Sequence, residues 1–310
     1  MSTAFLNVRF LAIFWFLLSL FFCNTNDVLG KYLGQNLPSI EVTFLRFFCS
    51  ALVLLPFIAF KGLKVLKTQN KLAHIFRGLL IAGAIGFWFA GLGAVPITTA
   101  TTISFSMPLF TLVLARIFLK EHITWQRYLA TFIGFVGVVI VLEPTSLTFN
   151  PAALYMLVSA FVFAILDIIN KKYICVENML CMLFYPAVVA ALVVAGPAIK
   201  VWVAPSMSQI RLLLILSCGS NLVLFCILKA FSLAEASFLA PFRYTELIIS
   251  SLFGIFVFHE WPSQATLIGS VVIIVSTLYV ALSENKTKKQ GSKGQKAANA
   301  SKHKKPIRSK

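Results

Sequence analysis

The residues able to do chemistry in this chain are few, and they sit where charge is costly. Arg243-Tyr244-Thr245-Glu246 places a guanidinium and a carboxylate three positions apart, on one face of a helix. Pro241, just before them, has no N–H to donate and loosens the helix, freeing a carbonyl. Glu246 can then meet a cation and Arg243 a carboxylate; the alternative is an internal ion pair that fixes packing. Asp27 and Asp167 are each followed four residues later by a lysine, Lys31 and Lys171. They read either as i,i+4 pairs whose lysines reach the membrane interface or as gate residues at the two mouths of a path, with Asn24, Asn26 and Asn170 on the same faces. Trp88, Tyr244 and Phe105 offer rings to a stacked base or a cation, although most rings in an apolar chain are packing. Asn221, with Ser217 and Ser220, and the hydroxyl run from Thr98 to Ser106 can hydrogen-bond a ligand or let helices approach closely. Arg46 reads as a tie between its helix and a neighbour in preference to a ligand contact. Glu121 and Glu260 sit at matching turns and read as caps or local ion pairs.

No nucleophile–base pair, metal-ligand cluster or phosphate loop accompanies these residues, so we expect neither an enzyme nor a bound metal or cofactor. The six cysteines contain no CxxC and read as small apolar side chains.

The elements that must position them are apolar runs. Hydrophobic residues make up 59% of the 310, charged residues 12%, and the mean hydropathy is +0.90, which excludes an ordinary soluble enzyme. About 20 apolar residues cross a bilayer, and the sequence predicts ten spans, at 10–30, 40–60, 78–95, 98–119, 127–143, 152–170, 179–199, 211–229, 237–258 and 264–283. Charged groups inside such spans cost a few kcal/mol each at the centre on insertion scales, so each needs an explanation.

The formal net charge of +17 suggests nucleic acid at first sight, but its distribution excludes it. Residues 285–310 hold ten Lys or Arg and no acid, and the rest nets +7. With the N-terminus in the cytoplasm, inner segments before the tail carry 12 basic residues and outer segments three, Lys31, Lys200 and Arg211. Positive charge stays inside, so both termini are expected in the cytoplasm, with the basic tail disordered beside anionic lipid.

The chain also repeats itself. Ser19 and Asp27 match Ser159 and Asp167 at a shift of 140, and Lys120-Glu121-His122 matches His259-Glu260-Trp261 at 139. Five spans fit in one period, so the second copy must be inverted relative to the first. Inverted repeats mark secondary transporters, whose substrate sites lie where the repeats meet. The expected architecture is all-α integral membrane: ten transmembrane helices as two inverted five-helix repeats, at 1–147 and 148–283, then a tail at 284–310.

Each half resembles the EamA repeat of the drug/metabolite transporter superfamily, on Glu41-Val-Thr-Phe-Leu-Arg46-Phe-Phe, Ile103-Ser-Phe-Ser-Met-Pro108, Leu119-Lys-Glu121-His and Gly134-Phe-Val-Gly137. A narrower likeness runs through Asn26-Asp27-Val-Leu-Gly-Lys31-Tyr32, Leu166-Asp167-Ile-Ile-Asn170-Lys171-Lys172 and Pro241-Phe-Arg243-Tyr244-Thr-Glu246-Leu, which are similar to bacterial carriers that take up S-adenosylmethionine. The resemblance implies an inner-membrane importer of that metabolite, working by alternating access and exchanging it for S-adenosylhomocysteine. An exporter of amino acids or other small metabolites is the alternative within the family, and a membrane scaffold or enzyme the alternative outside it. The partners implied are the small-molecule substrate and the lipid bilayer; the oligomeric state is left open.

Overall fold

Lipid offers no partner for a backbone N–H or C=O, so an apolar chain there must bond within itself. In the computed structural model, which describes residues 2–92, 103–104, 106–121, 123–142 and 152–258 and scattered positions from 264 to 279, the regular elements are accordingly helices. They are α1 (Ser2–Leu33), α2 (Ser39–Lys61), α3 (Lys71–Leu92), α4 (Met107–Phe118), α5 (Trp125–Leu142), α6 (Ala152–Tyr173), α7 (Met179–Lys200), α8 (Met207–Leu233) and α9 (Glu246–Phe258). A helical turn at Ala236–Leu239 and a 3-10 segment at Ala240–Thr245 lead into α9.

Local sequence sets the helix ends. Gly62, at φ +80°, takes a backbone angle that only glycine adopts freely and stops α2. Asn178 caps α7 by accepting from the Leu180 N–H at 3.0 Å. Ser206 and Gln209 close a reciprocal capping box at the start of α8.

Six helices among the described residues are long and apolar enough to cross a membrane: α1 over Val8–Gly30, α2, α3 over Lys71–Gly91, α6 over Leu154–Tyr173, α7 and α8. Their outward faces carry large apolar residues such as Phe57, Phe60 and Leu192, as expected for a surface solvated by lipid. In the expected fourth span the described residues are 103–104, which are helical, Ser106 in a turn, and α4 from Met107. The expected ninth span is α-helical only in part: the helical turn and the 3-10 segment through Pro241, which has no N–H to donate, precede α9 at Glu246. The expected tenth span falls outside the described residues except for scattered helical positions.

The packing is arranged between halves. The most extensive contacts are α1 with α8, α2 with α7, α3 with α6, α3 with α7 and α2 with α8. Exchange α1 with α6, α2 with α7 and α3 with α8, as the 140-residue shift prescribes, and this set maps onto itself. Close approaches recur at these crossings: a Cβ on Gly78 would lie 2.4 Å from the Val189 Cβ, and one on Gly219 would lie 2.3 Å from the Asn26 Oδ1.

Candidate functional site

A cavity of about 150 Å3 lies between the halves, walled by α1 to α4 from one and by α6 to α9 from the other. Its walls are largely apolar, with Phe47, Ile81, Ile85, Trp88 and Phe163 among them. Five charged side chains line it: Asp27, Arg46, Asp167, Arg243 and Glu246. Two interrupted segments supply matching positions. Ser104 and Met107, just before and at the start of α4, correspond at a shift of 139 to Arg243 and Glu246, and all four line the cavity. Interrupted helices at matching places in two repeats are where secondary transporters built from inverted repeats hold their cargo.

The charges fall into two groups. Arg243 donates from Nη2 to the Asp167 Oδ2 at 3.0 Å, with its guanidinium 5.4 Å from the centre of the Phe16 ring. That corrects two expectations. The ion pair of Arg243 is made with α6, and the partner of Asp167 is Arg243 in place of Lys171. Lys171 instead donates to the Phe231 and Ala234 carbonyl oxygens at the end of α8, where a cation suits the negative end of the helix.

In the second group, the Trp88 Nε1–H donates to the Asp27 Oδ1 at 3.2 Å. Asp27, Glu246 and the Cys23 thiol each place a ligand atom within 4.8 Å of the others. Those three are close enough to hold a metal ion, a set the sequence could not show because Glu246 is over 200 positions from the other two. A thiol beside two carboxylates mixes soft and hard donors; two carboxylates, one of them held by an indole N–H, equally suit an organic cation, which needs negative charge without fixed coordination. Arg46 completes this group. Its Nε donates to the Ser220 Oγ at 2.6 Å, and Ser220 passes its own hydrogen to the Leu216 carbonyl.

The other expected site residues are distributed. Asn170 lines the cavity while its Oδ1 accepts from the Arg77 Nε at 2.8 Å. Asn221 lines it and donates to the Ser50 carbonyl at 3.0 Å. Asn24 is buried, donates to the Leu20 carbonyl and stays off the cavity wall. Tyr244 is fully buried with its ring against Gly134, where a Cβ would come within 2.3 Å of it, and it too stays off the wall. Phe105 lies outside the described residues. Asp27 and Asp167, expected at opposite mouths, line one continuous cavity.

The sequence read Glu121 as a cap or local ion pair without showing what it caps, and gave no sign of the Glu177 contacts. Glu121 accepts from the Ala236 and Ser237 N–H groups, so it caps the helical turn of the opposite half. Glu177 accepts from Asn70 at 2.6 Å and from Thr68 at 2.9 Å, and lies 3.4 Å from the His74 Nε2, which ties the α2–α3 loop to the α6–α7 loop.

Two stretches, residues 10–143 and 150–282, match the model of the EamA-like transporter family. The chain belongs to that family. A Rickettsia bellii protein named S-adenosylmethionine uptake transporter is 50% identical, over 88% of this chain and 94% of its own length. A riboflavin transporter of Brucella anthropi is 27% identical, over 81% of this chain and 91% of its own. A solved crystal structure superposes with a TM-score of 0.73, covering 90% of this chain and 97% of that one at 17% identity, which speaks to the fold. As an EamA transporter the chain is a multi-pass membrane protein.

Proposed function

We propose that this transporter imports S-adenosylmethionine across a bacterial inner membrane, by alternating access of two inverted five-helix halves, with both termini in the cytoplasm and S-adenosylhomocysteine as the exchanged product. The halves comprise residues 1–147 and 148–283, and 284–310 form a basic cytoplasmic tail. The observation that carries the substrate reading is the cavity's charge set. Three carboxylates and two guanidinium groups give a formal net charge of −1. S-adenosylmethionine carries an ammonium, a sulfonium and a carboxylate, a net of +1, so the filled site is neutral, as a low-dielectric interior requires. The half-identical relative of that name, matched along nearly its whole length, supports the same substrate.

In this reading Asp27 and Glu246 receive the cationic centres, and the Trp88 ring faces the sulfonium or the adenine. Asn170 and Asn221 offer hydrogen bonds to the remaining polar groups, with Phe105 as a further stacking surface. Arg243 with Asp167 is an internal ion pair that opens and closes with the α6 contact. Tyr244 positions the interrupted segment through its packing on Gly134.

The test is uptake of labelled S-adenosylmethionine by cells that cannot otherwise take it up. Uptake that depends on the chain, and that is stimulated by internal S-adenosylhomocysteine, is the expected result. Entry of riboflavin or amino acids without S-adenosylmethionine would leave the family and remove the substrate.

A further inference from the structure

We infer that Arg46, and not Arg243, anchors the carboxylate of the transported molecule. The inference rests on the substrate reading above and extends it to one subsite.

Both arginines line the cavity, but their commitments differ. Arg243 already faces the carboxylate of Asp167 at 3.0 Å and covers the Phe16 ring, so its charge is matched within the protein. Arg46 is 9% exposed and spends one N–H, from Nε, on the neutral hydroxyl of Ser220. Among the described residues no hydrogen bond or ion pair reaches its two terminal nitrogens. A buried guanidinium with its terminal N–H pair unspent is a costly arrangement, and a planar carboxylate satisfies it with two parallel hydrogen bonds. The Ser220 contact fixes the fork from behind: Ser220 donates onward to the Leu216 carbonyl, so its oxygen is held as an acceptor for Nε.

Placement agrees with charge. An α-amino acid head bears its ammonium and carboxylate on one carbon, so their partners must be neighbours. Arg46 lies close enough to Asp27 for their charges to interact, yet no ion pair joins them among the described residues. Asp27 is in turn beside Glu246 and Trp88. Arg46 on one side and Asp27 with Glu246 on the other therefore bracket the amino-acid head, which leaves the nucleoside to the apolar wall. The repeat adds that the anchor is single: the position equivalent to Arg46 at a shift of 140 is Pro186, which also lines the cavity and carries no charge.

Decarboxylated S-adenosylmethionine tests this. It keeps the ammonium and sulfonium and lacks only the group Arg46 would hold. The full chain should prefer the intact substrate by at least about tenfold in kcat/KM, since a site built to bond a polar group rejects the analogue without it. Arg46→Gln should lose uptake of the intact substrate and gain uptake of the decarboxylated one, which inverts the preference. Arg243→Gln removes the same charge from the same cavity and should weaken both substrates alike. Ser220→Ala keeps the charge and removes the contact that aims it; it should raise KM severalfold for the intact substrate alone, which keeps the inference testable if Arg46→Gln does not accumulate in membranes. Equal losses for both substrates in Arg46→Gln or in Ser220→Ala, or an inverted preference in Arg243→Gln, would overturn it. A full chain that transports neither compound would overturn the substrate reading itself, whatever the variants do.

Discussion

Asp27 and Glu246 are carboxylates from opposite halves that come together, and the Trp88 indole N–H donates to Asp27. Replacing Glu246 with Gln keeps the shape and removes the charge. Losing one charged partner of a desolvated contact costs about 2–5 kcal/mol, so uptake should fall by at least about 30-fold while the protein accumulates normally, as an immunoblot of membranes would show. Trp88→Phe keeps a ring face and deletes the N–H that fixes Asp27; we expect KM to rise severalfold with kcat little changed, measured as initial uptake rates. At this scale the sequence was legible in residue type and not in partnership. Arg243 and Glu246 stand out as ionisable groups in an apolar run, and both line the cavity. Their i,i+3 spacing nevertheless suggested a pair with each other, and the ion pair of Arg243 is made across 76 positions to Asp167. Arg46 was read as a tie to a neighbouring helix, and its Nε does reach Ser220 on α8; a lone arginine in a sequence gives no sign of whether the protein neutralises it.

The crossing of α3 with α7 depends on Gly78. A methyl there would press on the Val189 side chain at 2.4 Å and on the Pro186 carbonyl oxygen at 3.2 Å, and the backbone atom cannot swing aside. Gly78→Ala should destabilise the fold by about 1–3 kcal/mol, the usual range for overpacking, read as a lower Tm of the detergent-purified protein. The clamp between the α2–α3 and α6–α7 loops makes a prediction in pH. Burial pushes the Glu177 carboxyl up, but hydrogen bonds from Asn70 and Thr68, with the His74 ring close by, outweigh it and hold the group below its ordinary value of 4.5. A carboxyl lowered by folding contributes stability above its unfolded value, and loses it as pH falls through the lowered one. Tm should therefore drop as the pH falls below 4.5, and Glu177→Gln should flatten that part of the profile. Helix positions were readable from hydropathy and charge. Where α9 begins was not, because hydropathy reports which segments lipid accepts and says nothing of whether the approach through Pro241 is α-helical.

The whole molecule carries its asymmetry in charge and its symmetry in packing. Basic residues concentrate on one predicted side by 12 to three before the tail is counted. A phosphatase fusion at either terminus should accordingly be inactive, and a fluorescent protein fused after residue 310 should fold, since both termini are expected in the cytoplasm. The repeat that implied two inverted halves was visible in spacing alone. What spacing could not reveal is how little each half packs on itself. In the structure α1 rests on α8, α2 on α7, and α3 on α6 and α7, while among the described residues contacts within a half are sparse. This bears on how the protein is made. The first four helices leave the ribosome well before α6 to α8 exist, so the nascent half must wait in the bilayer with its future interfaces against lipid, open to quality-control proteases. A chain severed after residue 147 should reassemble into an active carrier when both pieces are synthesised together, and each piece alone should be degraded.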